Sequence, residues 1–590
     1  MAIRIKILVL ISILMCVRSN AQDINLFQEI NNNLITSFES NSQWYLNDRK
    51  FGSFEEEEHL RTTKFLRLDY SINDKLKAGL QLESYTPENL LNNSKLYDKD
   101  IGIGTYYLRY THKKTDITLG YFYEQFGSGL ILRSWEDRFL GVNTALRGAR
   151  IKYNLNENIN LKLLYGQQRK GFEISKGKIF GVDAEIELSN WLTYIQPNAS
   201  LIAGLSYVGN KDNYNSSNPN AIEIPDIVNA FSLRLDYSNS NFYLNVEYVK
   251  KSGDLRSNRL SIANPFTFSE EKLFDGSALS FTSGYTKKGF GLSYNFRRLE
   301  NMRWFSEREY SNLVTNPTNQ LSVNYLPALN KQHDYTLANI YLYQSQPGLI
   351  IDALENPVLR AGEIGQFVDL FYNFKKNSLI GGKYGTKLNI NMSYWANLNT
   401  KINDPNGTEN IPGDDLTYES DFFNFENKLF TDLNVEIRKK WNKKLSSIFT
   451  YINLFYNKSF LDSKYNGSKV RAWIGVAEST YKFNKGKSLR LELQHLSTND
   501  DARNWMGGTA EFFFNSKFGI YINDSYNYEE SNIDQDTKIH FFNIGASYAK
   551  NASRIALNFG RQRGGLICVG GVCRPVSPNT GLTLNITTSF

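Results

Sequence analysis

The final ten residues of the chain place the strongest constraint on its fold. From Gly581 to Phe590, apolar and polar residues alternate strictly, and the chain ends on an aromatic residue. One face carries Leu582, Leu584, Ile586 and Phe590, and the opposite face carries Thr583, Asn585, Thr587 and Ser589. Such a strand suits lipid on one side and a wet lumen on the other. The segment is therefore predicted to be the last strand of an outer-membrane β-barrel, with its apolar residues as the C-terminal assembly signal.

The first residues of the chain agree with export. Arg4 and Lys6 precede the apolar run 7–17, and Ser19-Asn20-Ala21 is a small-x-small cleavage site. These features predict a secretory signal peptide over 1–21. The mature chain, 22–590, is then predicted to be a single β-barrel domain in the outer membrane of a Gram-negative bacterium, with its C-terminus in the periplasm.

Composition narrows the class of protein further. The mean hydropathy of −0.43, with 36 Tyr, 38 Phe and 8 Trp, is too polar for a helical membrane protein and unusually aromatic for a soluble one. Barrels have this average because half of each strand faces water and aromatic girdles mark the two membrane interfaces. Removal of Arg4, Lys6 and Arg18 with the signal lowers the formal charge from +7 to +4, which predicts no nucleic-acid partner.

One pattern repeats along the mature chain: about ten residues of alternation, a short turn, and alternation again. Alternation runs from Leu66 to Ile72, Asn73-Asp74 form a turn, and alternation resumes at Leu76. Charged residues at alternate positions are costly in a sandwich core but not in a water-filled lumen. The fold is predicted to be all-β, a large antiparallel up-and-down transmembrane β-barrel of about 24–26 strands. A soluble β-solenoid is the alternative, but the chain lacks the sequence repeat of a solenoid.

Connections of two kinds join the predicted strands. Tight turns are predicted at Asn73-Asp74, Lys113-Lys114, 156–158, Asn239-Ser240, Lys287-Lys288, Asn442-Lys443, 484–486, Asn515-Ser516 and Lys550-Asn551. Longer connections are predicted near 86–102, 124–145, 210–227, 251–274, 300–333, 345–363, 398–420 and 564–578. The tight turns include those expected on the periplasmic side, whereas most longer connections are expected outside the cell or folded inward.

A barrel of this size needs something in its lumen. It would be about 50 Å across, and an open hole of that width would abolish the permeability barrier. The best candidate is the segment 121–138, where alternation stops after Tyr123 and a Gly-Ser-Gly sequence precedes a charge cluster. Residues predicted to enter and occlude the lumen are Tyr123, Glu124, Arg133, Trp135, Glu136, Asp137 and Arg138. The cluster is interpreted as a salt-bridged anchor to the wall, with a solute or partner site as the alternative.

The same segment carries a family resemblance. The run Phe122-Tyr-Glu-Gln-Phe-Gly-Ser-Gly-Leu130, with Leu132-Arg133, Glu136-Asp-Arg138 and Leu140-Gly141 after it, resembles the signature of an outer-membrane family of Bacteroidota whose function is unknown. Further matching stretches lie at 41–48, 65–70, 80–85 and 561–565, so the resemblance spans nearly the whole mature chain. It implies the location and the barrel architecture. It implies no activity and no catalytic or ligand residue.

Two cysteines remain in the mature chain, Cys568 and Cys573, in a Gly-rich hairpin tip. In an exported protein such a pair predicts a disulfide. A metal-binding pair is the weaker alternative because no histidine lies nearby in the sequence. The disulfide is expected on the extracellular side, since this connection precedes a final strand that ends in the periplasm.

Other chemistry is sparse in the sequence. The five histidines, at 59, 112, 333, 495 and 540, form no Ser-His or Asp-His grouping that would predict a barrel hydrolase. The loop 403–415 gathers oxygen ligands and is a candidate Ca²⁺ site, but its spacing fits no defined calcium loop, so a metal-free turn is the preferred interpretation. We therefore predict no enzyme activity, no metal and no cofactor.

Two functions fit these features. The first is a structural or accessory subunit of an outer-membrane assembly that inserts barrels or exports proteins, with protein partners at its surface loops or periplasmic rim. The second is a solute-specific channel or transporter, although the lack of a separate plug domain counts against energised transport. Outer-membrane lipid and the barrel-assembly machinery that inserts the chain are expected partners in both cases.

Overall fold

The structure is a computed structural model that describes residues 33–51, 59–90, 95–97, 100–192, 198–213, 223–257, 271–308, 321–352, 358–403, 417–462, 469–484, 486–529, 538–569 and 572–590. The predicted signal peptide and positions 404–415 of the candidate calcium loop lie outside these residues. Helix in the described part consists of Lys458–Leu461, the single residue Asn33 and short 3₁₀ turns. No helix there has the length and apolar character needed to cross a lipid bilayer.

One large sheet dominates the described residues. It contains 25 strands. One of them is the two-residue strand Glu88–Asn89, which pairs in parallel with Arg61 and Thr62 of a longer strand. The other 24 strands form the wall of the molecule. In chain order, β1 to β24 span Leu34–Leu46, Leu60–Ser71, Leu76–Ser84, Gly102–His112, Thr115–Phe122, Leu146–Asn154, Ile159–Lys170, Glu173–Glu187, Ser200–Lys211, Ile227–Ser238, Phe242–Ser257, Glu271–Lys287, Phe290–Glu300, Gly362–Phe374, Thr386–Asn403, Thr417–Lys440, Leu445–Asn457, Lys469–Lys482, Ser488–Ser497, Trp505–Phe513, Phe518–Asn527, His540–Lys550, Ser553–Gln562 and Asn579–Ser589.

The sheet closes into a barrel where the first strand meets the last. β1 pairs antiparallel with β24 in continuous register from Ser37 opposite Ser589 to Leu46 opposite Thr580. At one end of this seam, the backbone NH of Thr36 donates to the Phe590 carbonyl at 2.8 Å. The remaining wall strands pair antiparallel with their neighbours in the chain. The prediction of a closed, all-β, up-and-down barrel is confirmed, and its 24 strands lie within the predicted range.

Side chains alternate between an apolar exterior and a polar interior. On β10, Leu233 is 59% exposed on the outer face, whereas Arg234 is buried on the inner face. The final strand follows the same rule, because Leu582 is exposed outside and Thr583 hydrogen-bonds Gln43 inside. Period-two alternation in the sequence thus places each residue on its side of the wall.

The two ends of the barrel have different connections. β1 begins and β24 ends at the same end, which we call the terminal end; the opposite end is the loop end. All the tight turns predicted from the sequence lie at the terminal end. Two connections there are longer, 188–199 and 375–385. Most long connections lie at the loop end.

Two loop-end connections fold into the lumen. Insert A, residues 123–145, joins β5 to β6. Insert B, the described residues 301–308, 321–352 and 358–361 of one connection, joins β13 to β14. The connections predicted at 300–333 and 345–363 are therefore parts of one insertion. The small strand pairs of the inserts are Gln125–Phe126 with Leu132–Arg133, Glu136–Asp137 with Val142–Asn143, and Ile350–Asp352 with Val358–Arg360.

Most buried apolar side chains of the inserts belong to two large cores against the inner wall, and two smaller clusters contain others. The first core joins β5–β13 to Phe126, Leu130, Ile131, Leu132, Met302, Trp304 and Val323 of the inserts. The second joins β15–β22 to Ala328, Tyr335, Leu337, Ala338, Tyr341 and Tyr343 of insert B. Burial of this apolar surface is the main force that holds the inserts in the barrel.

The inserts occupy the loop end and leave the terminal end open. Along the inner face of β7, Gln168 and Leu164 are buried, Lys162 is half-buried and Asn160 is exposed. Exposure rises in the same direction along the inner face of β18, from buried Val470 near the loop end to exposed Lys482 at the terminal end. The space between the inserts and the terminal end, here called the vestibule, is therefore accessible to solvent and lined by polar side chains.

Candidate functional site

Insert A begins where the alternation of β5 stops. Gly127 and Gly129 have φ values of +52° and +91°, and these allow the tight reversal in its first hairpin. An added Cβ at Gly127 would lie 2.5 Å from Cδ of Arg234 on the wall. The Gly-Ser-Gly sequence is thus a fixed turn pressed against the barrel. The backbone NH of Ser128 also donates to Glu247 of β11 at 2.8 Å.

Glu124 joins the start of insert A to β6. Its carboxylate lies 2.8 Å from Lys152 Nζ and 3.4 Å from Arg150 Nη1. The backbone NH of Glu124 donates to Ser134 Oγ at 2.8 Å, and the NH of Ser134 donates to the Glu124 carbonyl at 2.9 Å. Because the Glu124 side chain is almost fully buried, its charge depends on these cations for compensation.

Arg138 joins the second hairpin of insert A to three other wall strands, β1, β2 and β3. Its Nη1 lies 2.9 Å from Glu39 of β1, and its Nη2 donates to Gln81 Oε1 of β3 at 2.8 Å. Its Nε reaches Glu136 at 3.2 Å, and the guanidinium lies over the Phe65 ring, 4.5 Å from the centroid. These contacts are the ones that the anchor interpretation of the charge cluster requires.

Arg133 and Trp135 face insert B. The Trp135 ring stacks on Tyr325 with centroids 4.3 Å apart, and the Arg133 guanidinium lies 4.6 Å from the centroid of the same tyrosine ring. The backbone NH of Arg133 donates to the Val323 carbonyl at 3.1 Å. Burial raises the pKa of Tyr325 to about 12, so its hydroxyl is neutral at physiological pH. Through these contacts the two inserts form one continuous plug.

The remaining predicted residues make local contacts. Tyr123 OH donates to Glu136 at 3.3 Å, and Asp137 accepts the backbone NH of Leu140 at 2.8 Å. The predicted lumen residues therefore lie in one region but divide into wall anchors, contacts between the inserts and contacts within insert A. Their part in the protein's function stays a prediction.

Insert B has anchors that the sequence analysis missed. Lys170 Nζ lies 3.1 Å from Glu307, and Arg308 Nε lies 3.1 Å from Asp254 of β11. The backbone NH of Arg308 donates to Asp212 at 2.8 Å. The signal in the sequence was Glu307-Arg308 shortly after Trp304, which resembles the aromatic and charged cluster of insert A.

Glu363, at the start of β14, collects the last anchors of insert B. Its buried carboxylate lies 2.7 Å from Arg297 Nη2, accepts Tyr343 OH at 2.5 Å and accepts the backbone NH of Gln346 at 2.7 Å. Ser345 adds a further hydrogen bond at 3.0 Å. Charge and hydrogen bonds together compensate the carboxylate's loss of water.

The middle of insert B bonds to another part of the wall. His333 Nε2 lies 2.7 Å from Asn434 Oδ1 on β16, and the backbone NH of Leu337 donates to Gln494 of β19 at 2.9 Å. Together the inserts hold polar contacts with β1, β3, β6, β7, β11, β14, β16 and β19. These strands are widely spaced around the ring, so the plug contacts the wall on several sides. An arrangement of this kind can close the lumen.

The vestibule contains a cavity of about 340 Å³ against β20–β24. Polar and aromatic residues line it, among them Glu511, Phe513, Tyr521, Arg554, Asn558 and Asn585. Beside it, Arg490 forms ion pairs with Glu478, Glu492 and Glu511. The described residues include no group of three or more His, Cys, Asp or Glu arranged to hold a metal ion.

The predicted disulfide lies at the loop end. Cys568 and Cys573 are directly opposite one another in a hairpin formed by Gly565–Val569 and Val572–Val576, between β23 and β24. This register is compatible with a cross-link between neighbouring strands. The disulfide itself stays a prediction.

Comparison with known families assigns the chain to a group. Residues 4–590 match the profile of a family of unknown function, DUF6029. The chain belongs to this family. The match covers almost the whole sequence, in agreement with the extent of the resemblance described above. Because the function of the family is unknown, membership assigns no activity to this DUF6029 protein. No curated protein matches the sequence.

Solved structures of β-barrels resemble the DUF6029 protein distantly. The P pilus usher (PapC) translocation pore has a TM-score of 0.40 at 9% identity, covering 94% of this chain and 99% of that chain. The siderophore receptor PirA from Pseudomonas aeruginosa has a TM-score of 0.38 at 8% identity, covering 95% and 80%. OccK9 (OpdG) from P. aeruginosa has a TM-score of 0.32 at 11% identity, covering 84% and 98%. The fold assignment rests on the strand pairing described above.

Proposed function

We propose that this DUF6029 protein is an integral outer-membrane β-barrel that closes its own lumen and serves as a structural or accessory subunit of a larger outer-membrane assembly. Its partners would be proteins of a barrel-insertion or protein-export machinery. One observation carries the proposal: two inserts of the chain itself, joined to one another, are anchored by buried charges to strands around the ring.

The membrane location is supported by the barrel's exterior and its closure. A bilayer accepts β-structure only as a closed barrel, because every backbone group must find a partner within the protein. Here β1 and β24 complete the ring, and outward residues such as Leu205, Leu233 and Leu493 are exposed. Short turns at the terminal end favour a periplasmic C-terminus. The apolar face of Leu582, Leu584, Ile586 and Phe590 would then be read by the barrel-assembly machinery.

The anchors of the plug favour a static role. Removing one partner of a buried ion pair costs about 3–5 kcal/mol, so moving an insert would mean breaking several such contacts at once. Glu363, Glu307 and Glu124 are carboxylates of these anchors, and their side chains are at most 6% exposed. A barrel closed in this way is better suited to hold partners than to pass solutes.

The closed seam between β1 and β24 favours an accessory role in barrel insertion. A protein that inserted other barrels directly would need an open strand edge. Its register is continuous from residue 37 to 46 and from 580 to 589, without a bulge. On the inner face, Gln43 Nε2 donates to Asn579 Oδ1, and Thr583 Oγ1 donates to Gln43 Oε1. A wall paired to this extent offers no opened edge on which another strand can be templated.

A solute-specific channel or transporter is the second candidate. The observation that favours it is the vestibule, which is polar, open at the terminal end and indented by a cavity of about 340 Å³. In this alternative a solute would have to displace the inserts. The two functions therefore differ in whether the plug moves.

The test is purification at native expression level in a mild detergent, followed by native electrophoresis and mass spectrometry. An accessory subunit should migrate in a larger species with one or a few proteins in fixed ratio, whereas an abundant porin from the same membranes should show none of them. Migration of the DUF6029 barrel alone, also after chemical cross-linking in cells, would contradict the proposed function.

A further inference from the structure

One terminal-end connection is longer than its strands require. Phe374 of β14 pairs directly with Thr386 of β15, a distance that a turn of about two to five residues can close. Residues 375–385, here called the rim loop, join them instead. The next connection at this end, between β16 and β17, consists only of residues 441–444.

The rim loop has a defined shape. The backbone NH of Asn377 donates to the Gly382 carbonyl at 2.8 Å, and the NH of Gly382 donates to the Ser378 carbonyl at 2.9 Å. Thr386 Oγ1 and Lys439 Nζ each donate to the Ile380 carbonyl at 2.8 Å. The extra residues are thus folded into a turn that is fastened to β16.

This turn holds two apolar side chains in solvent. Leu379 is 102% exposed and Ile380 is 55% exposed, although the backbone around them is hydrogen-bonded. Trp441, in the neighbouring connection, is also 50% exposed. A fixed loop that presents leucine and isoleucine to water gains nothing for folding, because neither side chain is buried.

The surroundings of the two apolar residues are strongly basic. The lysines of residues 375–385 and 438–444 are Lys375, Lys376, Lys383, Lys439, Lys440, Lys443 and Lys444. No Asp or Glu occurs in 375–388 or 437–446. Arg438 is paired with Glu436, but these lysines form no ion pair with any other described residue. We call residues 375–385 and 438–444 the rim face.

We propose that the rim face is the docking surface for a partner protein that presents an acidic rim around an apolar groove. Leu379 and Ile380 would enter the groove, and the lysines would pair with the acidic groups. Complementary charge speeds encounter and selects the partner, while the buried apolar residues supply most of the affinity. The proposal rests on the proposed function, because it names the surface that the assembly would use.

A membrane surface of anionic lipid is the other partner that could bind the basic and apolar residues of the rim face. Two observations favour a protein. The barrel is already held in the membrane by its wall, so a further interfacial anchor adds nothing to its attachment. The rim loop is also preorganised by its own hydrogen bonds, which lowers the entropic cost of binding a shaped partner surface but brings no benefit with fluid lipid.

The first experiment places a photo-crosslinking amino acid at position 379 of the full chain in cells at native expression level. Irradiation should yield one protein adduct, which mass spectrometry then identifies. The matched control carries the same group at Trp191, which is 55% exposed in the other long terminal-end connection, where 188–199 contain no Lys or Arg. A phospholipid adduct at position 379 would overturn the proposal in favour of lipid.

The second experiment compares the native complex of three variants. Leu379→Asp with Ile380→Asp, and separately Lys440→Glu with Lys443→Glu, should release the cross-linked protein from the complex while the barrel stays folded and heat-modifiable. Trp191→Asp with Leu192→Asp should leave the complex intact. If the first two variants keep the complex, the docking surface is wrong but the accessory function stands. If the unaltered protein forms no complex, the proposed function itself fails.

Discussion

At the scale of single residues, the interior of the barrel holds ion pairs that are removed from water. Glu83 of β3 and Arg169 of β7 lie 2.5 Å apart with 0% and 2% of their side chains exposed. Tyr85 OH and Gln81 Nε2 donate to the same carboxylate at 2.6 Å and 2.7 Å. Such a pair adds little net stability, but loss of one member leaves a lone buried charge. Buried pairs therefore fix positions more than they strengthen the fold.

The substitution Arg138→Gln tests this at insert A. It removes the ion pairs to Glu39 and Glu136, so we expect the closed position of insert A to lose about 1–3 kcal/mol. The measurement is amide hydrogen exchange of residues 123–145, which should become faster. Arg67→Gln is the control, because Arg67 pairs with Asp69 on the wall and its side chain is 43% exposed. Equal exchange in both variants would mean that Arg138 is no anchor.

His333 makes insert B sensitive to acid. Burial lowers the pKa of His333 below its ordinary value of 6.5, and this outweighs the opposing hydrogen bond to Asn434. When insert B detaches, the histidine regains its ordinary pKa and binds a proton that the docked form does not. Docking is therefore favoured above pH 6.5 and weakens as the pH falls below it.

We expect hydrogen exchange in residues 328–343, corrected for its intrinsic pH dependence, to be faster at acidic than at neutral pH. His333→Gln should remove the difference, because glutamine keeps a hydrogen-bonding group but does not titrate in this range. If the pH dependence of exchange persists in this variant, a titratable group other than His333 causes it.

At the scale of elements, insert A was predictable and insert B only in part. Insert A interrupts a strand pattern at Tyr123 and then gathers glycines and charges of both signs, a combination that a lipid-facing or lumen-facing strand does not need. Its wall partners, such as Glu39 and Gln81, were not predictable, because they lie far away in the chain and face it only once the ring closes.

The middle of insert B could not be predicted, because its sequence pattern resembles that of a wall strand. Tyr335, Leu337, Tyr341 and Tyr343 follow a spacing that a strand also uses, and the predicted connections stopped on either side of them. In the structure these side chains pack against β15–β22 in the second apolar core. Period-two patterning reports which residues alternate, but it does not report whether their segment hydrogen-bonds to the wall or lies inside it.

Deletion of residues 127–140 tests insert A as a unit. Phe122 pairs with Leu146, so the shortened connection can still join β5 to β6. Loss of the contacts with Tyr325 and the wall should open a path beside insert B, raise conductance in planar bilayers and sensitise cells to large antibiotics. Deletion of 377–382 in the rim loop is the control and should change neither. An unchanged barrier after both deletions would show that insert B closes the lumen alone.

At the scale of the whole molecule, the barrel is asymmetric along its axis. The loop end is filled by the inserts, whereas the terminal end carries tight turns, the vestibule and the rim face. The sequence predicted that tight turns lie at one end and most long connections at the other, because turn residues and connection lengths are local properties. It did not predict the vestibule or the rim face. The depth to which the inserts fill the lumen is set by packing between distant segments, and no local pattern encodes it.

This polarity predicts which positions a reagent can reach in intact cells. In a background without Cys568 and Cys573, Asp100→Cys at the loop end should react with a membrane-impermeant maleimide. Leu379→Cys at the terminal end should react only after the outer membrane is permeabilised. The reverse pattern would place the C-terminus outside the cell and invert the proposed topology.

We infer that the intact barrel is closed by its own inserts. Conductance of the purified full-length protein in planar bilayers tests it most directly, with the 127–140 deletion variant inserted in the same way as proof of correct insertion. We expect little or no conductance from the intact protein and clear conductance steps from the variant. Large, stable, porin-like currents from the intact protein would contradict both the closed lumen and the accessory-subunit function, and would make the DUF6029 protein a channel.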